Sequence, residues 1–346
     1  MTIVILQLRS FILFLACILI SGVVSASSLP LNDLSSNHNE PKDSHALGLS
    51  SSSALQLLSN MTQSFTGLKY DGVFIHLEAM NMNSMRVRHG VMDGVEYESL
   101  VDLDGDKVEV LRVDDTIICV YPNASVANMS QPLVPPFKRF KNVESGRLIK
   151  GYEMLVGQGV SRIAGRNAVV VRLIPKDEYR YGHEFWLDEE NHFLLKHDMI
   201  KEDGKLLERI QFTSVNFSPD LKQEDFAPKQ GSYSEPIVKA VPRRVKNLWR
   251  FDWLPAGFSL VWPEARALNH GTSMLLLSDG MATVSVFVEP ATKEKEMSIF
   301  RTGATIAGER SFTIKDQLYL LTMVGEVPQA TIEKLMSVFM PRQDHD

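Results

Sequence analysis

His183-Glu184 starts like the helix motif of a zinc protease, in which two His four residues apart hold the metal and a Glu between them acts as base. Position 187 is Leu, so the second ligand is missing. The stretch 179–187 also alternates like a strand, which sends His183 and Glu184 to opposite faces. His192 and His197 could approach in space, yet no Cys pair or regular ligand spacing accompanies them. Gly157-Gln158-Gly159 is followed by Arg162 where a dinucleotide fingerprint needs its third Gly. Asp102, Asp104 and Asp106 flank Gly105, but the remaining ligands of a calcium loop are absent and a hairpin turn accounts for them. No serine lies in a Gly-x-Ser-x-Gly elbow. These residues point away from an enzyme and from any bound metal or cofactor.

Other residues suit binding. Arg86 and Arg88 sit two apart in a strand-like run, so both guanidiniums share a face while Val87 takes the other. They could receive carboxylates of a partner chain, or be paired within the protein. Lys138, Arg139, Lys141, Arg147 and Lys150 are interleaved with Phe137 and Phe140. That cluster suits an anionic partner or lipid headgroup, or forms a charged rim to aromatic packing. Trp249 and Trp253 open an aromatic-rich segment and are further candidate partner contacts. The net charge of -6 gives no support to nucleic-acid binding, which needs clustered positive charge.

The N-terminus reads as an export signal. Arg9 precedes the apolar run 11–24, and Val24-Ser25-Ala26 offers small residues for cleavage after Ala26. The run is shorter than the roughly 20 residues of a spanning helix. Cys17 suggests a lipid anchor, but apolar residues continue beyond it. Removing 26 of 346 residues leaves 320, a charge of -7 and Cys119 alone, so no intrachain disulfide is expected. Cys119 lies in the strand-like 116–121 and reads as a small buried hydrophobe.

Several elements must position these residues. Residues 27–50 are polar and aperiodic, a disordered leader. A helix follows, with Ser52 or Ser53 as cap, Leu55, Leu58, Met61 and Phe65 as its apolar stripe, and Gly67 as stop. Period-two strands are expected at 70–77, 85–91, 95–103, 107–113 and 116–121, too closely spaced for parallel crossovers. Residues 122–160 read as a Pro-rich loop and short helices, with strands resuming at 168–174, 179–187, 193–201 and 206–217. Five prolines or glycines between 219 and 242 mark a linker. A second core then has strands at 274–277, 282–289, 304–307, 311–314 and 317–325 and a helix at 328–340. The expected layout is a signal at 1–26, leader 27–50, β domain 51–218, linker 219–244 and smaller domain 245–340.

The order of segments resembles the MucB/RseB family. The resemblance rests on Met85–His89, Ser161–Arg166, Tyr179–Asp188, Trp253–Phe258, Ser278-Asp279-Gly280, Arg301-Thr302-Gly303 and Val324–Pro328. It implies an α+β protein: a large curved antiparallel sheet wrapped on helices, similar to lipoprotein carriers, plus a smaller antiparallel sheet with a C-terminal helix. It also implies a periplasmic negative regulator of a sigma-E-type factor. Such a protein binds the periplasmic part of a membrane anti-sigma factor, protects it from site-1 proteolysis and responds to lipid or lipopolysaccharide. A homo-oligomer is compatible with this reading, and a lipid or lipoprotein carrier is the alternative.

Overall fold

A computed structural model describes residues 51–342 apart from 80, 106–107, 115, 124–144, 160, 229–231 and 238–241. The signal, the leader, the Pro-rich 131–137 segment, Lys138 and Arg139 lie outside the described residues.

The first helix, α1 (Ser51–Gly67), starts at Ser51, so Ser52 and Ser53 fall inside it. Helix ends shift by a residue or two with the criterion used. Its stripe is buried through Ala54, Leu58, Met61 and Phe65. Next come β1 (Tyr70–Glu78), β2 (Asn81–Met92), β3 (Val95–Asp102), β4 (Glu109–Val113) and β5 (Thr116–Tyr121). Then follow α2 (Ser145–Gly151), β6 (Tyr152–Val156), β7 (Ser161–Ile163), β8 (Arg166–Pro175), β9 (Gly182–Asp188), β10 (Leu194–Ile200), β11 (Leu206–Asn216) and β12 (Tyr233–Ile237). They form one antiparallel sheet in the order β12-β5-β4-β3-β2-β1-β11-β10-β9-β8-β6, with β7 also on β8. Two meanders are joined where β1 pairs β11.

Register shifts at Val73/Phe74 and Met199/Ile200 bend the strands, as bulges do. The sheet curves over α1, and Phe193 meets Phe65, Tyr70 and Phe212 at ring separations of 4.9, 4.7 and 5.2 Å. Gly72 makes room: a Cβ there would stand 2.6 Å from the Phe212 ring. Cys119 packs with Val110 and Tyr121 in a small apolar cluster.

Three readings change. Tyr152 and Met154 belong to a strand rather than a short helix, because 152–156 pairs with β8, a distant segment whose availability a local pattern does not show. The stretch Tyr233–Ile237 adds to the sheet beside β5, with Pro236 on an edge strand that needs no donor on its outer side. The expected strands at 304–307 and 311–314 are one.

The second unit contains β13 (Arg243–Val245), β14 (Trp249–Phe251), β15 (Ser259–Leu260), β16 (Ala265–Ala267), β17 (Ser273–Ser278), β18 (Thr283–Pro290), β19 (Ser298–Thr302), β20 (Thr305–Ile314) and β21 (Gln317–Gly325), then α3 (Gln329–Val338) and β22 (Phe339–Pro341). Its sheet runs β13-β16-β17-β18-β21-β20-β19, with β15 on β17. Helix α3 lies on it through Ile332, Leu335 and Met336. Gly308 permits this close approach, since a Cβ would meet Ile332 and Met336 at 2.6 Å. The helix stops at Val338 because Phe339–Pro341 pairs with Trp249–Phe251. No helix among the described residues is long and apolar enough to cross a membrane.

Candidate functional site at the seam between the two sheets

The turn leading into β9 carries Arg180, whose side chain is fully enclosed. Its Nε donates to Asp177 Oδ1 (2.9 Å) and its Nη2 to Asp177 Oδ2 (2.9 Å), both within the first unit. Nη2 also donates to the Ala256 carbonyl (2.7 Å), and Nη1 to Asp279 Oδ2 (2.8 Å), both in the second unit. One rigid guanidinium fork therefore binds the two units together. The Tyr152 and Phe258 rings flank it, each 5.3 Å from the guanidinium carbon. Gly151 is required beside it, because a Cβ there would fall 1.8 Å from Nη1.

Asp279 is equally enclosed. Its Oδ1 accepts the Met281 and Ala282 amides at 2.9 and 2.8 Å, so the turn after β17 fixes the carboxylate. Around this pair the seam continues. Tyr181 donates its hydroxyl to the Val327 carbonyl (3.0 Å), and Thr331 Oγ1 donates to the Tyr179 carbonyl (2.9 Å). Tyr181, Met199, Leu207 and Ala304 form an apolar cluster there, and Trp253 meets Tyr179 edge-on at 4.8 Å. Gly303, at φ 54°, sits against Glu78.

The electrostatics follow from enclosure. Burial works against the Arg180 charge, but the Asp177 hydrogen bond and the Asp279 charge outweigh it and hold the guanidinium above its ordinary value. Burial pushes the Asp279 carboxyl up, against the pull of the Met281 amide and Arg180. The two directions are compatible, since Arg180 has two carboxylate partners and Asp279 a single cationic one. Burial also raises Tyr181 to about 12, which keeps its hydroxyl a neutral donor.

The folded chain thus binds the Asp279 proton more tightly than the unfolded chain. Through this group stability is greatest below the ordinary carboxylate value of about 4 and declines as pH rises through the raised one. Thermal unfolding across pH is expected to show this decline in the wild type and less of it in Asp279→Asn. A variant curve that declines as steeply would contradict the assignment.

The expected contacts are placed differently. Arg86 and Arg88 do share a face of β2, with Val87 buried behind them. Arg86 is held by Asp71 in two bonds (2.8 and 2.6 Å), and Arg88 lies 3.8 Å from Glu109. Trp249 is buried, donating Nε1 to Ser273 Oγ (3.2 Å) and stacking on Phe339. Trp253 is half-buried at the seam. His197 meets His183 at 3.0 Å, while His192 occupies the turn before β10. Asp102 accepts the Asp104 amide, as a turn requires, and no group of three His, Cys, Asp or Glu suited to a metal occurs among the described residues. Sequence reasoning missed Arg180, Asp279 and Tyr181 as a site. The available signal was that their segments are among those carrying the family resemblance: Tyr179–Asp188, Trp253–Phe258, Ser278–Gly280, Arg301–Gly303 and Val324–Pro328 all reach this seam.

Comparison with known proteins agrees with the resemblance. The MucB/RseB N-terminal domain matches residues 53–230, and the MucB/RseB C-terminal domain matches 243–339. The sigma-E factor regulatory protein RseB of Haemophilus influenzae is 30% identical over 82% of this chain and 90% of its own. The solved complex of Pseudomonas aeruginosa MucA/MucB superposes with a TM-score of 0.68 at 27% identity, covering 84% of this chain and 99% of that one. The crystal structure of MucB alone gives 0.56 at 26%, covering 84% and 98%. With both halves matched in order and the two sheets built as described, the chain belongs to the MucB/RseB family and is a periplasmic regulatory protein rather than an enzyme.

Proposed function

We propose that this chain binds the periplasmic segment of a membrane anti-sigma factor, shields it from the site-1 protease, and releases it when lipid or lipopolysaccharide reports envelope damage. The observation that carries the reading is the match of both family domains, joined here along one seam, alongside the solved MucA/MucB complex of a relative. Two linked domains hold one peptide more firmly than either alone, because the second contact is made at high effective concentration. Trp253 is the best placed of the candidate contacts, an aromatic with free surface beside the seam. Arg86 and Arg88 would supply charge outside it, Lys138 and Arg139 are proposed as further cationic contacts, and Trp249 acts by packing. The domain division proposed is 51–218 and 245–340, with 219–244 as a connector whose 233–237 stretch pairs with β5 of the first sheet.

Lipid would act by entering between the curved sheet and its helices. It can weaken peptide binding only by favouring an arrangement that holds the peptide less well. Titrating the lipid-depleted mature chain with a labelled periplasmic segment is expected to give saturable binding. Lipopolysaccharide is expected to weaken it about tenfold, a coupling of about 1.4 kcal/mol. Absence of saturable binding would reject the reading, and lipid transfer to an outer-membrane acceptor would make the protein a carrier.

A further inference from the structure

We infer that Arg180 is a positioning residue that locks the two domains in the arrangement that holds a partner, with Asp279 as its catch. The inference rests on the partner-binding reading above and adds the device that sets the domain arrangement. Most seam contacts tolerate small movements. The cluster of Tyr181, Met199, Leu207 and Ala304 is apolar and non-directional, and Tyr181 and Thr331 each make one neutral hydrogen bond. The guanidinium does not tolerate them. It makes four directional bonds, two to Asp177 on its own side and two to Ala256 and Asp279 across the seam. A relative shift of about 1 Å would carry the last two beyond hydrogen-bond distance.

Partial opening is then the worst case, because it leaves an enclosed charge half-paired and still cut off from water. The stable alternatives are all cross-seam bonds made, or the seam opened far enough to hydrate both Arg180 and Asp279. A group with those two options behaves as a two-state element rather than a soft hinge. Gly151 preserves the slot in which the fork sits, and Gly257, at φ 89°, lets the second domain approach the Arg147 carbonyl, where a Cβ would lie at 2.7 Å.

The test uses the full mature chain with Arg180→Lys, Asp279→Asn and both together. Lysine keeps the charge but loses the fork, and asparagine keeps the shape but loses the charge. Two readings are taken: the interdomain distance distribution by small-angle scattering, and affinity for the labelled periplasmic segment of the anti-sigma factor. Each single variant is expected to keep its near-ultraviolet circular dichroism, broaden the distance distribution and bind about tenfold more weakly. The double variant is expected to bind no more weakly than the weaker single one, because both residues act through one lock. Lys295→Met, which removes an exposed ion pair with Glu309 inside the second domain, is expected to leave both readings near wild type.

Wild-type scattering in folded variants would overturn the inference, as would broadened scattering with affinity within twofold of wild type. Failure of both single variants to fold would also overturn it, by making the pair necessary to a domain rather than to the seam. If the wild-type chain does not bind the segment, the proposed function falls. The scattering comparison still decides whether Arg180 locks the domains.

Discussion

Arg180→Met is expected to lower stability by about 3–5 kcal/mol, the usual loss when one member of a buried ion pair is removed. Methionine fills much of the same volume, so the loss is electrostatic rather than a cavity. In the closed arrangement Asp279 would be left enclosed with no cation, and the Ala256 carbonyl would lose its donor. Arg86→Met supplies the control, because Arg86 also makes a two-bonded carboxylate pair, with Asp71. Its side chain is 46% exposed, so water replaces what is lost and the expected change is about 0–1 kcal/mol. Urea denaturation at neutral pH measures both. Equal shifts in the two variants would show that enclosure at the seam does not govern the energetics.

Removal of residues 245–346 is expected to abolish protection of the anti-sigma segment while leaving the first sheet folded. The two cores are largely separate: Tyr70, Phe74, Phe185, Phe193 and Phe212 pack under α1, while Leu277, Val284, Leu321 and Met323 pack under α3. Met281 is the residue that the second unit contributes to the first core, so its loss removes one contact rather than a face. Arg180 would lose Ala256 and Asp279 but keep Asp177 and gain water. Circular dichroism reports the fold, and a cleavage assay reports protection. Full protection by the truncated chain would place the whole partner site on the first domain.

Much of the fold was legible because it is locally encoded. The stripe Leu58, Met61 and Phe65 could only be a helix face, and it is buried as one. The turn at Asp104-Gly105 was readable because Gly accepts φ 70° there. Short segments whose state depends on a distant partner were harder. Tyr152–Val156 is a strand because β8 lies beside it, and Phe339–Pro341 leaves the helix because Trp249–Phe251 offers an edge. The same distinction explains the seam. Arg86 and Arg88 stood out because two residues on one strand share a face by geometry alone. Arg180 and Asp279 are 99 positions apart, and nothing in either segment announces that they meet. Their segments were visible only as pieces of a resemblance.

The most direct measurement is the initial rate at which the site-1 protease cleaves the purified anti-sigma periplasmic segment, with and without stoichiometric mature chain. The rate is expected to fall in proportion to the fraction of segment bound and to recover when lipopolysaccharide is added. An unchanged rate with the segment saturated would contradict the protective role, whatever the affinity.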